Sequence, residues 1–110
     1  AFPLWLAPVQ VLLCTITDGQ IKYAEKLAQR FEESDIRVEK DLRNEKIGFK
    51  IREAQLQKIP YMVVLGDKEV ESQTLGVRRR RSKETRTLGF ETFLTELKSG
   101  IDSKLIESDD

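Results

Sequence analysis

A polar stretch, Asp41-Leu-Arg43-Asn44-Glu45-Lys46, precedes apolar residues at helical spacing, Ile47, Ile51 and Ala54. A side-chain oxygen on Asn44 can cap a helix that begins near Glu45, and Arg43 and Lys46 make the same helix start a natural anion site. Phe49 stands two residues from both Ile47 and Ile51, about 200° around the helix. It either packs against a second layer or offers a stacking surface. Further on, Glu69 and Glu71 share one pleat face of an expected strand, with Arg78 and Arg80 alternating on its expected partner. These charges can pair across the strands. Alternatively, Glu69 and Arg78 present an acceptor and a donor fork to a guanine, which offers N1–H and N2–H donors and O6 and N7 acceptors. Spacing leaves both open.

Catalytic chemistry finds little support. The 110 residues contain no His, which removes the commonest metal ligand and general base together. There is no Gly-rich phosphate loop, no Cys pair and no Gly-x-Ser-x-Gly elbow. Asp18-Gly19 follows an expected strand, where α/β proteins often bind ligands, but a turn and helix cap explains it. Asp41 and Glu45 lack neighbours that would complete an acid–base site. The one Cys, Cys14, lies in an apolar strand as core filler and can form no internal disulfide. No catalytic residue, metal site or cofactor site is expected in this chain.

Charge points the other way. Lys plus Arg and Asp plus Glu each total 19, so the net charge is zero and a strongly basic coat is excluded. The distribution is nevertheless polarised. Positions 37–58 carry seven basic and four acidic residues, and 78–86 carry six and one; 91–110 carry two and six. Two basic segments against an acidic end fit a molecule that meets an anion on one face, although solvated charged faces give the same count.

The elements that would hold these residues follow from periodicity. Val9–Ile16 reads as a buried strand, Thr17-Asp18-Gly19 as turn and cap, and Ile21, Ala24, Leu27, Ala28 and Phe31 as one face of a four-turn helix. Ile36–Val38 predicts a short strand, and Pro60 closes the helix that carries Ile47, Ile51 and Ala54. Tyr61–Leu65 reads as the central strand. Glu69–Glu71 and Leu75–Arg78 predict a hairpin across Ser72-Gln73-Thr74. Phe90, Phe93, Leu94, Leu97 and Ile101 predict a final helix. The sum is an α/β, three-layer fold with a mixed, mostly parallel five-stranded sheet flanked by three helices. Residues 1–8 form a leading segment docked through Trp5, 9–101 the domain, and 102–110 an acidic tail. No stretch is long and apolar enough to span a membrane, and the opening Ala-Phe-Pro-Leu-Trp reads as a cut inside a longer, cytoplasmic protein rather than a signal peptide.

Asp41-Leu-Arg-Asn-Glu-Lys-Ile-Gly-Phe-Lys-Ile-Arg-Glu53, followed by Ile59-Pro-Tyr-Met62 and Gly66-Asp-Lys-Glu-Val-Glu71, closely resembles the C-terminal anticodon-binding domain of threonyl-tRNA synthetases, class II aminoacyl-tRNA synthetases. Pro3-Leu-Trp-Leu-Ala-Pro-Val-Gln-Val11 and Gly76-Val-Arg78 match as well, so the resemblance covers about residues 1 to 100. The related prolyl, histidyl and glycyl enzymes share the fold and the Ile-Pro before the central strand, but not the Arg-Asn-Glu-Lys-Ile-Gly-Phe run. The resemblance implies a module that reads the anticodon loop of threonine tRNA, whose second and third letters are G and U. It implies base recognition by Asn44, Glu69 and Arg78, with the last two on the G and Asn44 on a neighbouring base. Lys46, Phe49, Arg52, Lys58, Arg79, Arg80 and Arg81 would make backbone or stacking contacts, with the choice among Arg79 to Arg81 left open. For the parent enzyme alone it implies ATP, Mg and Zn, a homodimer, and a catalytic domain that meets the leading segment, so apolar surface is expected around Phe2, Leu4 and Trp5. A protein-interaction module and a paralogous RNA-binding domain without threonine-tRNA specificity are the rival readings.

Overall fold

A computed structural model describes residues 3–102, apart from the side chain of Asp102. Phe2 and the tail from position 103 lie outside the described residues. Five strands form one sheet in the order β2-β1-β3-β4-β5: β1 Val11–Thr15, β2 Val38–Asp41, β3 Tyr61–Leu65, β4 Leu75–Arg79 and β5 Arg86–Leu88. The pairings β1·β2 and β1·β3 are parallel, and β3·β4 and β4·β5 are antiparallel. The expected mixed five-stranded sheet is thus present, with its parallel half at one edge and an antiparallel half at the other. Three helices of ten or more residues flank it, α1 Ile21–Glu33, α2 Ile47–Leu56 and α4 Phe90–Asp102, with a six-residue α3, Asp67–Ser72.

Strand alternation sends Val11 and Leu13, Tyr61, Val63 and Leu65, and Leu75 and Val77 to one face. There they form the main core with Leu27, Phe31, Phe93 and Leu97 of α1 and α4. Phe31 meets Phe90 and Phe93 at ring separations of 4.7 and 6.0 Å, and Phe93 meets Tyr61 at 5.3 Å, geometry that adds to burial. Among the described helices α2 covers the opposite face, through a smaller cluster of Ala54, Ile59 and Met62 with Leu12 and Ile51. Of the candidate residues, Asn44, Lys46, Phe49 and Arg52 gather beside α2 on this side.

Two expectations are corrected. Glu69–Glu71 is not a strand: it lies in α3, and the strand that pairs with β4 on its outer side is Arg86–Leu88, which carries no strand pattern. A Glu three residues after Gly66 explains the helix. Glu69 Oε1 accepts a hydrogen bond from the Gly66 N–H at 2.9 Å, which satisfies a free donor of the first turn. The leading segment forms a short 3₁₀ turn at Leu4–Leu6, and Leu4, where apolar surface was expected, is instead 3% exposed and packed in the main core. Arg37 clasps it with hydrogen bonds to the carbonyls of Ala7 and Trp5, each 2.7 Å, and Gln10 Nε2 reaches the Leu4 carbonyl. Among the described apolar residues of this segment, Leu6 is the one left strongly exposed.

Candidate nucleic-acid interface

The chain switches faces between β1 and β3. Helix α1 leaves β1 on one side and α2 enters β3 on the other, and the crevice beyond the strand ends at such a point is where open α/β sheets bind ligands. Here it is an open groove of about 830 Å³ lined by Ile16, the loop from Asn44 to Lys46, and the outer side of α2 through Phe49 and Arg52. Ile16 forms the floor. Its Cδ1 sits so close to Gly66 that a Cβ there would come within 3.0 Å of it and 3.1 Å of Glu69 Oε1. Ile16 of the groove and the Glu69 carboxylate thus both lie against Gly66, where a larger residue would push them apart. The turn that carries Ile16 is held by Gln20, which is buried. Its Oε1 accepts from the Ile16 and Thr17 N–H groups, while its Nε2 donates to Asp67 at 2.6 Å.

The α2 wall rests on a residue that the sequence reading missed. Lys50 is fully buried. Its Nζ donates to the carbonyl of Thr15 at 2.8 Å and that of Asp41 at 3.0 Å, with an Asp41 carboxylate oxygen at 3.9 Å. The ammonium thus ties the second turn of α2 to the C-terminal ends of β1 and β2 at once. Asp41 is gripped in turn by Arg43, through Nε at 2.9 Å and Nη2 at 2.8 Å, and Arg43 also binds Glu53 of α2. The Arg43 guanidinium holds the Asp41 carboxyl below the usual carboxylate range. The signal was present: Lys50 falls on the inward stripe of Ile47, Ile51 and Ala54, where an unpaired cation is costly.

Asn44 does not cap α2. The helix begins at Ile47 with Lys46 at its cap position, and no side chain accepts from its first turn. Freed from that task, Asn44 is exposed, and its side chain engages no described residue. Lys46 and Arg52 are exposed on the same groove and pair with no described carboxylate. Phe49 does not pack in a second layer. It is 41% exposed, with the Arg43 guanidinium 5.6 Å from its ring centroid, and Ile16 is 45% exposed beside it. Two exposed apolar side chains, Ile16 and Phe49, and four polar ones, Asn44, Glu45, Lys46 and Arg52, line one concavity.

The Arg run divides. Arg78 lies opposite Met62, whose side chain packs under α2, so Arg78 emerges on the groove face. Its Nε donates to the Ser82 carbonyl at 3.0 Å. Gly76, two residues earlier on that face, lets Thr85 close over the sheet: a Cβ there would meet Thr85 Cγ2 at 3.3 Å and the Val64 carbonyl at 3.0 Å. Arg78 stands about 10 Å along the strand from the turn carrying Glu69, so the cross-strand pairing expected of them has no strand to form on. Arg79 faces the opposite side, near Glu96, whose carboxyl is lowered chiefly by its hydrogen bonds from Arg86 and only slightly by the Arg79 charge. Arg80 is 9% exposed, with its Nε 3.4 Å from the Gln55 carbonyl at the end of α2, so a phosphate role for it meets a buried side chain. Arg81 is exposed, and Lys58 lies in the left-handed turn that ends α2, at the far end from Asn44.

Burial pushes the Cys14 thiol up to about 12, which keeps it protonated and unreactive. Among the described residues no three His, Cys, Asp or Glu side chains converge where a metal could sit, and no helix is long and apolar enough to cross a membrane. What the groove offers is a mix of stacking surface, hydrogen-bonding groups and cations, the combination that holds unpaired nucleotides.

Comparison with known proteins agrees. Residues 9–100 match the family described as the anticodon binding domain. The chain is 54% identical over 104 residues to a threonine–tRNA ligase of Clostridium botulinum and 52% identical over 108 residues to one of Clostridium tetani, which covers 94% and 98% of this chain. It spans only 16% and 17% of the length of those relatives. Its fold superposes with a TM-score of 0.85 and 26% identity on the RNA binding domain of threonyl-tRNA synthetase from Cryptosporidium parvum, over 89% of this chain and 25% of that one.

Proposed function

The chain belongs to the anticodon-binding domain family, in the form found in threonyl-tRNA synthetases, and from that premise we propose that it reads the anticodon loop of threonine tRNA. The observation that carries the reading is the groove itself. Exposed Phe49 and Ile16 stand beside Asn44, Lys46 and Arg52, whose side chains are not engaged with any described carboxylate. Buried apolar area would serve folding better, and paired charges would serve a solvated face. Exposed rings beside free donors serve bases splayed from a loop.

Within this reading, Arg78 supplies the donor fork and Glu69 the acceptor for the central G, and Asn44 contacts the neighbouring base. Glu69 keeps one oxygen on the Gly66 N–H, which fixes its carboxylate and leaves the second oxygen for a base donor. Lys46 and Arg52 balance phosphate charge and set register without reading sequence. The uncapped first turn of α2 adds N–H groups toward the same anion. Charging of the tRNA with threonine, with the ATP, Mg and Zn it entails, belongs to the whole ligase. So do a homodimer, a cytoplasmic setting and the contact of a catalytic domain with the leading segment.

Titration with two anticodon stem-loops, one with the threonine anticodon and one with its central G replaced, at two salt concentrations, tests this reading. A preference for the G-containing loop that survives the higher salt is expected. Equal binding of both loops, lost together as salt rises, would reduce the domain to a phosphate holder.

A further inference from the structure

Gln20 is not among the residues that line the groove, yet its buried side-chain amide uses all four of its hydrogen-bonding positions. Its Oε1 accepts from the N–H groups of Ile16 at 3.1 Å and Thr17 at 2.6 Å. Its Nε2 donates to Thr17 Oγ1 at 2.9 Å and to Asp67 Oδ1 at 2.6 Å. We infer that Gln20 is a positioning residue for base discrimination: through Asp67 it locks α3, and with it the Glu69 carboxylate, against the turn that carries Ile16. The inference rests on the anticodon-loop reading above and deepens it, by naming what sets the place of the acceptor for the central G.

Three observations support it. The first is where the link falls. The parallel pairing of β1 with β3 is continued by the bond from the Ile16 N–H to the Leu65 carbonyl, 3.2 Å. Past it the two chains part, one into the cap at Thr17 and then α1, the other into Gly66 and α3. Gln20 rejoins them across 47 positions of sequence. The second is what the link holds. Asp67 is the first residue of α3, a six-residue helix with no fully buried side chain, so a polar anchor at its start counts for more than packing does. Glu69 stands two residues on, with Oε1 held by the Gly66 N–H of the same turn, and any shift of Asp67 carries that carboxylate with it. A Cβ on Gly66 would lie 3.0 Å from Ile16 Cδ1 and 3.1 Å from Glu69 Oε1, so the amide fixes the spacing of two immediate neighbours. The third is the side chain itself. An amide can accept from two N–H groups while donating to a carboxylate, which a Glu or a Lys in its place cannot do, and a fully bonded buried network is rigid.

Asp67 is exposed, so changing it should leave the fold in place. Asp67→Ala, Asp67→Asn, Gln20→Glu and the double variant Gln20→Glu, Asp67→Asn are titrated beside the unmodified chain. The probes are the threonine anticodon stem-loop and its central-G variant, and urea unfolding follows stability. Asp67→Ala removes the acceptor and Gln20→Glu sets a carboxylate against it. Each should lower the G preference about three- to tenfold, chiefly by weakening the G-containing loop. Asp67→Asn keeps an acceptor oxygen and should keep the preference. In the double variant donor and acceptor change places, and the preference should return. Should Gln20→Glu lose the fold, the contrast between Asp67→Ala and Asp67→Asn decides alone. Native preference in Asp67→Ala, or an equal loss for both loops, would overturn the inference and leave the base reading standing. So would a double variant that folds yet discriminates no better than Gln20→Glu. An unmodified chain without G preference would overturn the base reading and this inference with it.

Discussion

On the α2 side of the groove a buried lysine, an aspartate and an arginine bind helix to sheet, whereas on the α3 and β4 side Glu69 and Arg78 are held by single hydrogen bonds to main-chain atoms of their own turns, at Gly66 and Ser82. The difference separates two tasks. The first wall uses desolvated charges, which are costly to disturb because a partner left behind is buried and unpaired. The second side carries Glu69 and Arg78 as half-buried side chains on a finished backbone, where substitution should, on the proposed reading, alter what is bound more than whether the chain folds. Anchoring of helix to sheet is thus concentrated on the α2 side, while Glu69 and Arg78 stand on elements that hold together with little help from them.

The strongest way to break this comparison is Lys50→Met. It keeps the length of the side chain but strands the carbonyls of Thr15 and Asp41, and a loss of about 3–5 kcal/mol in urea unfolding is expected. A loss as small as that of a surface substitution would show the α2 wall to be no firmer than the other. Next in size is Arg80→Ala. Removal of its contact with the Gln55 carbonyl and its buried stem should cost about 1–2 kcal/mol of folding stability, with the ratio of affinities for right and wrong loops unchanged.

Two smaller effects sharpen the picture. Lys58 and Gln73 end α2 and α3 in left-handed conformations, φ 61° and 57°. Glycine at either site should stabilise by about 0.5 kcal/mol, read as a rise in the urea midpoint, because both helices end by the same device. Acid titration compares Asp41 of the first wall with Glu96, whose carboxyl Arg86 lowers outside the groove. A folded pKa below the unfolded value gives stability that is complete above about pH 4 and is lost as pH falls through the lowered value. Asp41→Asn should therefore flatten the acid limb of stability, and Glu96→Gln should do the same to a lesser degree, since that pair is more exposed.

Legibility in the sequence follows the same division. Most of the parallel half was readable because apolar strands and a 3.6-residue helix stripe alternate there: Val11–Thr15, Ile21–Glu33 and Tyr61–Leu65 lie where periodicity put them, whereas the edge strand β2 is Val38–Asp41 rather than Ile36–Val38, its mostly exposed residues giving no apolar pattern. The antiparallel half was not. Glu69-Val70-Glu71 alternates as a strand would, and three residues cannot separate a period of 2 from one of 3.6; the deciding feature was the Gly66–Glu69 hydrogen bond. Arg86–Leu88 is short and mostly exposed, so it has no apolar pattern to show. Candidate residues were easier to name than to place. Asn44 faced the groove because the helix began at Ile47, and Phe49 lay open because no second layer covers α2. Arg80 turned inward because the end of α2 needed a donor.

On the proposed reading, Arg78 and Asn44 address different letters of the anticodon, the second and the neighbouring third. Asn44→Ala and Arg78→Ala should each be titrated against three stem-loops: the threonine anticodon, the second letter changed, and the third letter changed. Arg78→Ala should erase about 1–3 kcal/mol of discrimination at the second letter and spare the third, while Asn44→Ala does the reverse. If both substitutions erased the same letter, or weakened all three loops equally, the division of reading between the walls would be wrong.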